Sequence, residues 1–152
     1  MPQPALDGAR GFLEELLRLL GERGEVAAQP EGEGVYVNLQ GSLPQLPPGD
    51  GEFRGALARI VRLHLKARYG LDVPVVLDIN GELLAHREKL AREARGLAAQ
   101  AVAQGRRIEL PPMPPDDRRV VHTALADFPG VRTFSVGREE SRRVVIEPAD
   151  GA

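Results

Sequence analysis

The stretch SLPQLPPGDGE, Ser42–Glu52, places three prolines and two glycines within eleven residues, and PPMPP, Pro111–Pro115, places four prolines within five. Proline has no N–H to give a helix or a sheet ladder, and glycine loses the most backbone entropy on ordering, so neither run can lie inside a helix or a central strand. Regular elements must fit around these breaks. Before the first break, GARGFLEELLRLLGERG carries Phe12, Leu13, Leu16, Leu17, Leu19 and Leu20 at helical spacing and stops at Gly21 or Gly24. EVAAQPEGEGVYVNLQG then alternates Val35, Val37 and Leu39 with Tyr36, Asn38 and Gln40, which predicts a strand hairpin turning at PEGEG.

Helical period returns after the break through Phe53, Leu57, Ile60, Val61 and Leu65, ending at Gly70, and DVPVVLDING is a short apolar strand closed by Asn80-Gly81. ELLAHREKLAREARGLAAQAVAQG predicts one long helix with Leu90, Ala94, Leu97 and Ala101 on a stripe and Gly105 as its stop. RRIEL is a brief strand, the second proline run leads into a helix that Phe128-Pro129-Gly130 ends, and VRTFSVG and RRVVIEP pair across REES. No internal repeat is visible. The order α-β-β-α-β followed by α-β-α-β-β is an α+β pattern in two small subdomains, 9–80 and 81–148.

Several function classes find no support in the residues. No run approaches the roughly 18 to 20 apolar residues of a membrane span, and MPQPALDGAR lacks a basic start followed by an apolar core, so a cytoplasmic protein without membrane insertion is expected. There are no cysteines, and the three histidines are scattered, which argues against a metal site or a bound cofactor. His64 sits in the apolar run IVRLHLKA as a core histidine would, and His86 sits in a charged helix start. Glu14-Glu15 and Glu139-Glu140 are adjacent pairs that cannot face each other as an acid and a base, and no nucleophile elbow or phosphate loop occurs. No catalytic residue is expected, and the chain reads as a non-enzyme.

Charge separates the halves. Residues 1–80 hold 8 basic and 11 acidic residues, net -3, whereas 81–152 hold 12 and 11, net +1. Of the 20 basic residues 18 are Arg, a bias that suits forked phosphate contacts and that a GC-rich or thermophilic genome also produces. In MPPDDRRVVHTALADFPG, Pro115 suits the first helical position, and Asp116 and Asp117 suit the positive end of the helix dipole. Arg118 and His122 then lie four apart on one helix face, offering a guanidinium fork and an imidazole N–H to an anion, while Val121 and Leu125 point inward. On spacing alone, a solvated face with Arg118 in a local salt bridge and His122 half packed is the commoner explanation.

PPMPPDDRRVVHTALADFPGV followed by RRVVI resembles the R-three-H (R-x-x-x-H) domain, which binds single-stranded nucleic acid. Over nearly the whole chain, from FLEELLRLLGERG through VYVNLQG, VPVVLDING and GRRIELPPM, the order resembles the Jag or SpoIIIJ-associated family of bacterial RNA-binding proteins, in which a KH domain precedes that module. The resemblance implies that Arg118 and His122 are the signature pair and that Arg119, Arg106, Arg107, Arg142 and Arg143 supply the surrounding basic surface. It also implies a post-transcriptional regulator whose partner is single-stranded RNA or DNA. Members often carry a further N-terminal domain, for which this sequence has no counterpart.

The first half departs from the pattern at the Gly-x-x-Gly loop that holds the nucleic-acid backbone in KH domains. The matching residues are Pro48, Gly49, Asp50 and Gly51: a proline stands where the first glycine belongs, and an aspartate where phosphate should sit. The KH-like half is therefore expected to keep its fold and to lose its clamp. A second reading follows, in which that half docks a protein, a second KH-type chain or another copy of itself. Pro114 stands where the family has a polar helix cap, so the two aspartates must do more. Phe128 and Phe134 form the one aromatic cluster expected near the Arg118 helix.

Overall fold

The computed structural model describes residues 3–47 and 49–149; Pro48, the first residue of the degenerate loop, lies outside them. The chain divides into two compact units between Leu84 and Ala85. It is an α+β protein, with helices and a three-stranded sheet in each unit.

The first unit runs α1 (Gln3–Leu20), β1 (Glu25–Glu31), β2 (Gly34–Gln40), α2 (Gly51–Tyr69) and β3 (Val75–Ile79). Helix α1 begins earlier than the leucine-rich run because Ala5, Leu6 and Ala9, all buried, continue the apolar stripe of Leu13 and Leu17. The hairpin turn is tighter than PEGEG: β1 continues through Pro30, opposite Val35, and turns at Gly32 and Glu33. β1 is an outer strand of the β1-β2-β3 sheet, where a missing N–H is tolerated. β2 and β3 are parallel and joined through α2, whose core residues Leu57, Val61 and Leu65 pack with Val35, Val37, Leu39, Leu77 and Ile79.

Tyr36, assigned by alternation to the outer face of its strand, is only 6% exposed. Its hydroxyl donates to Asp78 Oδ2 at 2.5 Å. Asp78 is fully buried, and its two oxygens also accept from the amides of Ile79, Leu83 and Leu84. A strand carboxylate thus caps the first turn of α3 (Glu82–Gln104), taking amides that would otherwise be orphaned.

The second unit continues α3 with β4 (Ile108–Glu109), α4 (Pro115–Leu125), β5 (Val131–Val136) and β6 (Arg143–Pro148). Its sheet has the order β4-β6-β5 and is antiparallel throughout. Ala94, Ala98 and Ala101 of α3 pack with Val121 and Leu125 of α4 and with Val144 and Ile146 of β6. The α4 start is as the sequence implies: Pro114 gives no side-chain cap, Pro115 occupies the first turn, and Asp116 and Asp117 follow. His86 Nε2 lies 3.0 Å from Asp117 Oδ1, tying α3 to that start. His64 packs on Phe12 with the rings tilted by 41° and their centroids 4.7 Å apart.

Candidate nucleic-acid interface

α4 and β5 build the site between them. On β5, Thr133 and Ser135 are two apart and share the face turned to α4. His122 Nδ1 lies 2.7 Å from Thr133 Oγ1, and its Nε2 lies 3.0 Å from Ser135 Oγ. A neutral imidazole has one N–H, so it donates to one hydroxyl while its other nitrogen accepts from the second. Burial holds the His122 pKa below its usual value, and the nearby positive charges of Arg118 and Arg142 add to that effect. The histidine is neutral at pH 7, with both nitrogens engaged inside the domain.

Arg118, one turn before His122, has a buried Nη1 without a hydrogen-bond partner among the described residues. A buried guanidinium nitrogen left unpaired is costly, and a guanidinium is a forked, charged donor of the kind that suits an anion. Arg142 donates from Nη1 to the carbonyl of Gly137 at 2.8 Å, which steadies it at the end of the β5–β6 connection. Gly137 has φ of 90°, and a Cβ there would stand 2.8 Å from the Ser141 carbonyl oxygen, so this connection needs glycine.

The other arginines lie elsewhere. The β5–β6 register pairs Phe134 with Val145 and Arg132 with Glu147, while β4 sets Glu109 beside Val145. These residues, with Arg143, form the opposite face of the sheet. Glu109 there meets Arg143 Nε at 3.2 Å and Arg107 Nη2 at 3.5 Å. Arg119 is exposed on α4 with Asp116 3.7 Å away, and Arg106 Nε bonds Gln104 Oε1. The structure therefore brings together Arg118, His122 and Arg142, whereas Arg107 and Arg143 start from the opposite sheet face and both reach Glu109 there, Arg143 also donating from Nη1 to the Ser141 carbonyl.

The aromatic cluster expected from the sequence does not form. Phe128, half-buried, packs against the core cluster, whereas Phe134 belongs to the opposite sheet face, because neighbouring strand residues alternate sides. Thr133 and Ser135 were the missed members of the site. The alternation in VRTFSVG already places two hydroxyls on one side, but only packing shows that the side is His122's.

In the first unit, the described part of the loop is closed by carboxylates. Asp50 Oδ1 accepts from the amides of Glu52 and Phe53 at 3.0 and 3.2 Å, capping α2. The Gly49 amide donates to Glu82 Oε2 at 3.1 Å. Amides that could meet a phosphate are thus held by the chain's own negative groups. Among the described residues, no group of His, Cys, Asp and Glu could hold a metal ion, and no helix is long and apolar enough to cross a membrane.

The Arg118/His122 pair on α4, set against a three-stranded antiparallel sheet, coincides with a family match. The family model of the R-three-H domain matches residues 88–148. The second unit contains an R-three-H domain. The chain as a whole is homologous to the KhpB (Jag-family) proteins. It is 27% identical over 141 residues to the RNA-binding protein KhpB of Bacillus subtilis, covering 91% of this chain and 68% of that protein. Against the RNA-binding protein KhpB of Lactiplantibacillus plantarum it is 32% identical over 96 residues, 63% of this chain and 30% of the relative. The protein of the same name from Clostridium symbiosum is 27% identical over 143 residues, 92% of this chain and 64% of that one. The two longer matches extend well beyond the R-three-H domain into the first unit.

Proposed function

We propose that this chain binds single-stranded RNA and that its R-three-H domain takes backbone phosphate at Arg118 and Arg142, with His122 holding the site together. The observation that carries the proposal is that two guanidinium groups, those of Arg118 and Arg142, both act on His122, with Nη1 of Arg118 buried and unpartnered among the described residues. The names of the KhpB relatives support RNA as the polymer. A post-transcriptional regulator acting in the cytoplasm is the role that fits.

The first unit, with its order α-β-β-α-β, is a KH-like fold in this reading and contributes little to phosphate binding. Gly49 and the first amides of α2 are already taken by Glu82 and Asp50. That observation favours a second role for this unit, the holding of a protein partner.

Fluorescence anisotropy of a labelled single-stranded RNA across a salt series tests the proposal. Arg118→Gln with Arg142→Gln lowers affinity at low salt and flattens the log-log salt slope by about 0.7 for each phosphate no longer neutralised. An unchanged slope in a folded variant rules the site out.

A further inference from the structure

We propose that the sheet face carrying Phe134, opposite the Arg118 site, stacks a nucleobase of the bound strand; this rests on the RNA-binding reading. In the row across this face, Glu109, Val145 and Phe134 lie side by side on the three strands. Val145 is fully buried yet lies outside the core cluster formed with α3 and α4, so the side chains of its own face cover it. Phe134 is half-buried there, and the guanidinium carbon of Arg107 stands 5.6 Å from its ring centroid. That guanidinium lies over the ring, and a base stacks on the planar cation or takes its place on the ring.

Charge selects a base over a phosphate at this face. Arg107 and Arg143 both meet Glu109, and Arg132 Nε donates to Glu147 Oε2 at 2.7 Å. A phosphate would meet cations already neutralised and a carboxylate at their centre. An uncharged base meets no such penalty and covers the apolar ring. The second unit holds just two aromatic residues, Phe128 and Phe134, and Phe128, half-buried, packs against the core cluster. Phe134 is the ring that lies outside that cluster.

Position links the two faces. β5 is an outer strand of its sheet, and Thr133, Phe134 and Ser135 are consecutive upon it. The hydroxyls flanking Phe134 hold His122 on one side while the ring points to the other. A flexible strand crossing this edge can leave a phosphate at Arg118 and lay the adjoining base on Phe134.

The test compares an RNA oligonucleotide with an abasic ribose-phosphate strand of equal length, using the full chain. Phe134→Leu keeps an apolar cover over Val145, so the fold is retained. The expected result is about a 5- to 20-fold loss of affinity for RNA and none for the abasic strand. Arg118→Gln weakens both. Equal affinity of Phe134→Leu and the unaltered protein for RNA overturns the stacking site, as does an equal loss on both strands, which marks a structural effect. If the unaltered protein binds neither strand, the RNA-binding reading itself fails and the stacking site fails with it. If Phe134→Leu is silent while Arg118→Gln is not, only the stacking site fails.

Discussion

The Nδ1 atom of His122 lies 2.7 Å from the Thr133 hydroxyl, so the histidine of the Arg-x-x-x-His pair is bonded to the sheet before any ligand arrives. Its partner Arg118 is the member left with a buried unpaired nitrogen. In the proposed site one residue of the pair positions and the other binds.

Replacing His122 separates these roles. His122→Ala removes two hydrogen bonds and lowers the stability of the R-three-H domain by about 1 to 2 kcal/mol, measured by urea unfolding. RNA affinity falls through misplacement of Arg118, while the salt slope stays close to that of the unaltered protein. A slope reduced as much as in Arg118→Gln would mean that His122 itself holds phosphate.

The pH dependence follows from the direction of the His122 shift. Its folded pKa is lowered, so the unfolded chain binds the proton more readily. The stabilisation is fully present above the unfolded value of about 6.5 and is lost as pH falls from there through the lower folded value. Unfolding at pH 7.5, 6.5 and 5.5 should therefore show declining stability, with the decline much reduced in His122→Gln. Between pH 7 and 8.5 RNA affinity should be flat, because a neutral strut has no proton to lose there.

Asp78 is the most consequential buried group outside the interface. Asp78→Ala leaves the Tyr36 hydroxyl and the amides of Leu83 and Leu84 without their acceptor. A loss of about 3 kcal/mol is expected, against about 1 kcal/mol for Tyr36→Phe, which removes the hydroxyl's bond to Asp78. Equal effects in chemical denaturation would refute the capping role.

The acidic loop can be relieved without losing its cap. Asparagine caps a helix as well as aspartate, so Asp50→Asn preserves α2, and Glu82→Gln removes the second charge. RNA affinity of this double variant should rise by about threefold at low salt and not at all near 0.5 M, where surface charge is screened. A rise that persists at high salt would point to a reshaped loop instead.

Sequence alone determined the elements, because their causes are local. Leucine and alanine spacing makes α1 and α3, alternation makes β2 and β5, and Pro115 with Asp116 and Asp117 starts α4. Spacing also placed Arg118 and His122 on one face. Tertiary structure decided what that face does. Whether a histidine nitrogen is free, whether Arg143 lies with Arg142 or behind it, and whether Phe134 joins Phe128 all depend on which side of a strand meets a helix. Alternation assigns residues to two sides but does not say which is covered, because that choice is made by packing between segments far apart in the chain. The same reason hid Asp78, a carboxylate inside an apolar strand, whose partners Tyr36, Leu83 and Leu84 come together only in the folded unit.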